Sequence, residues 1–122
     1  MKNEFAELVK RYRGSPEFLS PELTDANLRG MTGDTLLHAA TVRGAVHDVE
    51  VLVECGAEVD ALGDLGNTAL HYAATRGFDE IVKKLLQHRA RRSIKNEFGQ
   101  TALDLAKLNR HQSVVRALEK SG

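Results

Sequence analysis

Apolar residues along this chain come in short bursts at helical spacing, separated by glycines. Residues 36–43 carry Leu37 and Ala40 among small neighbours and stop before Gly44. Residues 46–55 carry Val49, Leu52 and Val53 at i, i+3, i+4, an apolar stripe along one face of a helix. Gly56 then supplies a left-handed C-terminal cap. The stretch 57–67, AEVDALGDLGN, is rich in turn formers and reads as a loop or β-turn finger. The scheme then recurs. Helices are predicted over 69–76, closing at Gly77, and over 79–88, with Ile81, Val82, Leu85 and Leu86 inward. A third pair falls at 102–109 and 112–119, with Leu103, Leu105, Ala106, Val114, Val115 and Leu118 inward.

The letters repeat as well as the pattern. GDTLLHAATVRG (33–44) returns as GNTALHYAATRG (66–77) and as GQTALDLAKLNR (99–110). Thr35, Thr68 and Thr101 stand 33 residues apart, as do Gly33, Gly66 and Gly99. Aligned without gaps, 33–65 and 66–98 share ten identical positions. Chance at background residue frequencies gives roughly two. Helices this short cannot bury their apolar faces alone. Ala40, Ala73, Ala74 and Ala106 let neighbours approach closely, so that each unit completes its core against the next. At roughly 1.5–3 kcal/mol per fully buried side chain, stripes of this size become useful only when stacked.

With its 33-residue period, its T-x-L-H elements at 35–38 and 68–71 and its GAEVDA at 56–61, the chain resembles the ankyrin repeat family. The resemblance is good over 33–122 and weak over 22–32. It implies an all-α fold: an ankyrin repeat solenoid of paired antiparallel helices with β-turn fingers. Residues 33–65 and 66–98 would be full repeats, and 99–122 a C-terminal capping repeat. Residues 1–32 would form a divergent N-terminal capping repeat. There, NEFAELVKRYRG (3–14) is a degenerate first helix, Ser15-Pro16 opens a short second one, and TDANLRGMTG (24–33) is a finger.

Departures from the family pattern carry information. The proline that usually follows the threonine is Leu36, Ala69 and Ala102 here. The histidine of the T-x-L-H element becomes Asp104 in the last unit, and a glycine becomes Arg110, both suited to a cap that meets water. Arg89, Arg91 and Arg92 stand where the pattern has Gly, an acid and Val. Arg89 therefore occupies a position that wants positive φ, which implies mild strain or an altered cap. The ending Lys120-Ser121-Gly122 fits a natural cap rather than a fragment of a longer scaffold.

Composition narrows the chemistry. The 122 residues are 42% hydrophobic, 28% charged and 5% aromatic, the profile of one soluble globular domain. No apolar run approaches the roughly 18 residues of a membrane span, and no secretory h-region is visible at the start. One cysteine, Cys55, excludes an internal disulfide and suits a reducing, cytoplasmic location. It ends a helix and has no basic neighbour, so thiolate activation is unsupported. His38 and His71 occupy the same repeat position. In a stack they would lie about 10 Å apart, too far to share one metal. By resemblance they bond the threonine hydroxyl and the backbone between repeats. Thr35, His38, Gly44, Thr68, His71, Gly77 and Thr101 are thus structural repeat positions. His47, His88 and His111 show no ligand spacing and read as solvated. No phosphate-binding glycine loop and no Ser/His/Asp set is present, so no catalytic residue, metal or cofactor is expected. The basic run QHRARR (87–92) reads as a solvated loop or as a patch for an acidic partner. Without interleaved aromatics it gives nucleic acid little support.

The resemblance also implies a concave binding face made of finger tips and the ends of the inner helices. The residues it places there are Arg29, Met31, Leu62, Asp64, Leu65, Asn67, Lys95, Glu97, Phe98 and Gln100 from the fingers. The inner helices add Val42, Arg43, Thr75, Arg76, Leu108 and Asn109. Met31, Leu62, Leu65 and Phe98 are large and apolar, as anchors of a binding patch should be. They could equally pack finger against finger, since Leu65 and Phe98 share a repeat position. The function that follows is a non-catalytic module, monomeric when free, binding another protein on that face. One version is an inhibitor or immunity-type protein blocking a partner enzyme. An enzyme is the alternative from another class, and no constellation supports it.

The net charge is zero, 17 basic against 17 acidic residues, which argues against bulk attraction to polyanions or anionic membranes. The halves differ. Residues 1–61 hold 6 basic and 11 acidic side chains (−5), and residues 62–122 hold 11 and 6 (+5). In a stack, sequence order is spatial order, so the charge becomes a gradient along the molecule.

Overall fold

The computed structural model describes residues 6–8, 10–11 and 33–120. Three pairs of helices follow one another. The first helices are α1 (Leu36–Val42), α3 (Ala69–Arg76) and α5 (Ala102–Leu108). The second helices are α2 (Val46–Glu54), α4 (Asp79–Gln87) and α6 (Gln112–Glu119). Among the described residues no extended strand is present.

Each first helix starts at a threonine. Thr35, Thr68 and Thr101 sit in extended backbone with φ of −88°, −88° and −89°. Each hydroxyl accepts from the backbone N–H three residues on, and the side chain there reaches back to the threonine N–H. Two of the helix's orphan donors are satisfied at once. This explains why the threonine survives where the family's proline does not. The predicted ends at residues 43, 55, 88 and 109 overshoot by one residue. Arg43, Cys55, His88 and Asn109 are C-caps whose N–H groups still bond back into the helix, while the backbone beyond turns away.

The helices form two layers. First helices pack on first helices (α1 on α3, α3 on α5), second on second (α2 on α4, α4 on α6), and each pair closes on itself. A first helix is therefore enclosed from several sides. In α1, every residue from Leu36 to Thr41 is buried. Ala69, Ala73, Ala74 and Ala106 are fully buried, and their size is what lets α3 and α5 approach. A second helix buries only one stripe: Ile81, Val82 and Leu85 in α4, and Val114, Val115 and Leu118 in α6.

At the other end, residues 6–8 and 10–11 are helical. Leu8 is fully buried and joins the core, and Arg11 pairs with Asp48 of α2. The expected second short helix at Ser15-Pro16, and the finger carrying Arg29 and Met31, lie outside the described residues.

Three non-glycine residues take the left-handed conformation: Leu65 (φ 58°), Arg89 (φ 67°) and Arg110 (φ 60°). Arg89 was expected there. Leu65 was not. His111 also departs from expectation: it is half-buried rather than solvated, and it is the N-cap residue of α6. Its Nε2 lies 3.0 Å from the carbonyl of Thr75, and its ring covers Gly77.

Candidate functional site

Two buried histidines tie the helix pairs to the fingers. The N–H of Thr35 donates to Nδ1 of His38 at 3.0 Å, and that of Thr68 to Nδ1 of His71 at 3.0 Å. Because a backbone N–H can only donate, each Nδ1 must accept, and the proton belongs on Nε2. From there His38 reaches the carbonyl of Asn67 at 3.0 Å, and His71 that of Gln100 at 2.9 Å. Both carbonyls belong to the base of the finger leading into the next pair. Burial pushes the His71 pKa below the ordinary imidazole value, offset only in part by hydrogen bonds with the backbone of Gln100 and Ile94. These rings are occupied in holding the stack. Among the described residues no group of three or more His, Cys, Asp or Glu side chains is placed to hold a metal.

The last unit has Asp104 in the histidine's place. Its carboxylate accepts from the Thr101 N–H at 2.9 Å and is exposed. The bonds from the Thr101 backbone and hydroxyl hold its pKa below the usual carboxylate value. Asp104 thus closes the cap of its own helix, as the histidines close theirs.

The fingers are internally braced. In one, the Gly63 N–H bonds the Asn67 carbonyl at 2.8 Å; in the next, the Asn96 N–H bonds the Gln100 carbonyl at 2.9 Å. Asn96 is nearly buried and saturated: its Oδ1 accepts from the N–H groups of Phe98 and Gln100, and its Nδ2 donates to Asn67 Oδ1 and Gln100 Oε1. The Glu97 N–H donates to the Leu65 carbonyl at 3.0 Å, a direct bond between fingers. On the other side, Asp34 Oδ1 accepts from the Asp64 N–H and from the Tyr72 hydroxyl. That oxygen passes so close to Gly63 that a Cβ there would sit 2.2 Å away. Asp34, Tyr72 and Asn96 were not anticipated. Asn96 had a signal of a kind, a polar residue where the preceding repeat has Gly63.

Of the residues expected on the binding face, Asn67 and Gln100 are half-buried, and their side chains brace the fingers. Thr75 and Asn109 bond back to carbonyls of their own helices, those of His71 and Leu105. Val42 is half-buried, and Arg43, Asp64, Arg76, Lys95 and Glu97 are exposed. The apolar members stand out into solvent. Leu62 is 49% exposed, Leu65 45%, Phe98 67% and Leu108 69%, and these are the exposed large hydrophobic residues among those described. Leu65 and Phe98 therefore do not bury each other.

No helix among the described residues is long and apolar enough to cross a membrane. A family model for ankyrin repeats in three copies matches residues 2–96 and, in a second placement, 37–122. No curated protein matches the chain. Ankyrin repeats are in general protein–protein interaction modules, and the family is typically non-enzymatic. The threonine-capped helix pairs, the histidines that join each pair to the next finger, and a family match spanning nearly all of the sequence agree: the chain belongs to the ankyrin repeat family.

Proposed function

We propose that this protein is a non-catalytic module that binds a partner protein on the face formed by its finger tips and the ends of its first helices. The observation that carries this reading is the row Leu62, Leu65, Phe98 and Leu108, large apolar side chains held in water by a braced scaffold. Folding alone gives no reason for them. Leu65 is the clearest case, because it also sits at φ 58°, a conformation that costs a leucine about 1–2 kcal/mol. A rigid stack presents such anchors pre-ordered, which lowers the entropy cost of association. Arg43, Arg76, Lys95 and Glu97 supply the polar rim.

Leu65→Ala, Phe98→Ala and Arg76→Ala are each expected to weaken partner binding by about 1 kcal/mol or more, roughly fivefold or more in Kd. Their thermal melts should stay near that of the wild type. Leu65→Gly should melt higher, by relief of the left-handed backbone, and still bind more weakly. Equal affinities across this set would place the binding face elsewhere.

The charge gradient adds a kinetic expectation. With −5 in residues 1–61 and +5 in 62–122, a partner should dock in one polarity. Its association rate should fall as salt screens the steering. An unchanged rate between low and high salt would contradict a steered encounter.

A further inference from the structure

The layer of second helices carries a separate feature. A groove of about 390 Å³ runs between α4 and α6, lined by Lys83, Leu86, Gln87, Arg92, Ala117 and Lys120. A second cavity of about 230 Å³ adjoins it, sharing Lys83, Ala117 and Lys120 and adding Ser113 and Arg116. Four cations line the two cavities, and among the described residues no acidic one does. Among the described residues none of the four makes an ion pair.

Two neighbouring cations are paired within the fold. One residue along from Lys83, Lys84 turns to Glu50 of α2 at 3.3 Å. Arg91 turns to Asp60, which also accepts its backbone N–H. The basic run 87–92 is thus divided: Arg91 is spent within the fold, while Gln87 and Arg92 face the groove. Four like charges around two adjoining cavities repel each other and make no contribution to folding that the structure shows.

We propose that this groove binds an acidic segment of a partner protein, a stretch of carboxylates interrupted by an apolar side chain. The cations supply the charge complementarity, and the half-buried Arg92 offers the planar fork that suits a carboxylate. Leu86 and Ala117 give the groove an apolar component, which a lone inorganic anion would leave unused. Its length, two adjoining cavities, also exceeds what one small anion fills. No aromatic side chain lines it for stacking on bases, which sets it apart from a single-strand nucleic-acid channel. This surface stands independently of the finger-tip reading.

The test is fluorescence anisotropy with the full chain and a fluorescein-labelled synthetic peptide of glutamates interrupted by leucines. The combined variant Lys83→Gln/Lys120→Gln should bind it about tenfold more weakly. It should melt no lower than the wild type, because it removes like-charge repulsion. Arg92→Lys, which keeps the charge and loses the fork, should also weaken binding. Phe98→Ala should leave peptide affinity unchanged, which separates this surface from the finger tips. The proposal is overturned if the groove variants bind as the wild type does. It is equally overturned if a glutamate peptide without leucines or inorganic phosphate competes as well as the probe, or if single-stranded oligothymidylate binds more tightly.

Discussion

Replacing His71 with alanine is expected to lower the stability of the protein by about 3 kcal/mol. The ring is 1% exposed and joins three groups: the N–H and hydroxyl of Thr68 and the carbonyl of Gln100. Its removal strands the buried Thr68 N–H, worth about 1–3 kcal/mol when left unmade, leaves the Gln100 carbonyl only its bond from the Asn96 N–H, and opens a cavity beside Thr68. The loss is also directional. Stability in a stack is a sum of units and interfaces, so the finger leading into α5 should loosen first, as faster amide exchange after residue 94. Urea denaturation of the two proteins measures the first effect and hydrogen exchange the second. The pH dependence follows from the same ring. Burial holds the folded pKa of His71 below the ordinary value of 6.5. The unfolded chain then takes up a proton that the folded chain refuses, so this contribution is complete above pH 6.5 and is lost as the pH falls below it. Asp104, also lowered, acts in the same direction only as the pH approaches its ordinary value of 3.8. The urea midpoint of the wild type should fall as the pH drops below 6.5, and that of His71→Ala should fall less. Equal slopes would detach the histidine from the effect.

Gly77→Ala is expected to cost about as much, by a different route. Gly77 has a φ of 75°, where a side chain costs about 1–2 kcal/mol in backbone energy alone. A Cβ there would also lie 2.6 Å from Nδ1 and 2.9 Å from two ring carbons of His111. That ring is tethered through Nε2 to the Thr75 carbonyl, so it must give up the bond to make room. The bond adds about 1 kcal/mol, for a total of about 3 kcal/mol. Gly99→Ala is the control: its φ is 74°, but nothing lies within 4 Å of the added carbon, so only the backbone part remains. Pairing Gly77→Ala with His111→Ala should recover part of the loss. Equal costs at Gly77 and Gly99, or full additivity with His111→Ala, would remove the ring from the explanation.

The helix pairs were legible because a stacked helix must repeat: its apolar stripe and its capping threonine return every 33 residues. What escaped was whatever broke the period. His111 stands where the preceding repeat has Phe78, so nothing in the pattern marks it, and its partner Thr75 lies 36 residues back in another unit. Asn96 stands where that repeat has Gly63, and its role appears only once two fingers lie side by side. The run 87–92 reads as one patch in sequence, yet folding turns Arg91 to an aspartate in the preceding loop and Arg92 to a groove between helices. The apolar finger residues could be named from sequence. Whether they faced water or each other depended on a left-handed backbone at Leu65, a conformation that a leucine does not announce.

The central claim is that the exposed apolar row is a binding face. Its most direct test is the affinity of Phe98→Ala, measured by calorimetry with a partner recovered by affinity purification from the protein's own cell. Phe98 is 67% exposed at a finger tip, so its truncation should leave the melting temperature unchanged. A Kd raised fivefold or more, roughly 1 kcal/mol, is the predicted result. A Kd equal to that of the wild type, for Phe98→Ala and Leu65→Ala alike, would contradict the account.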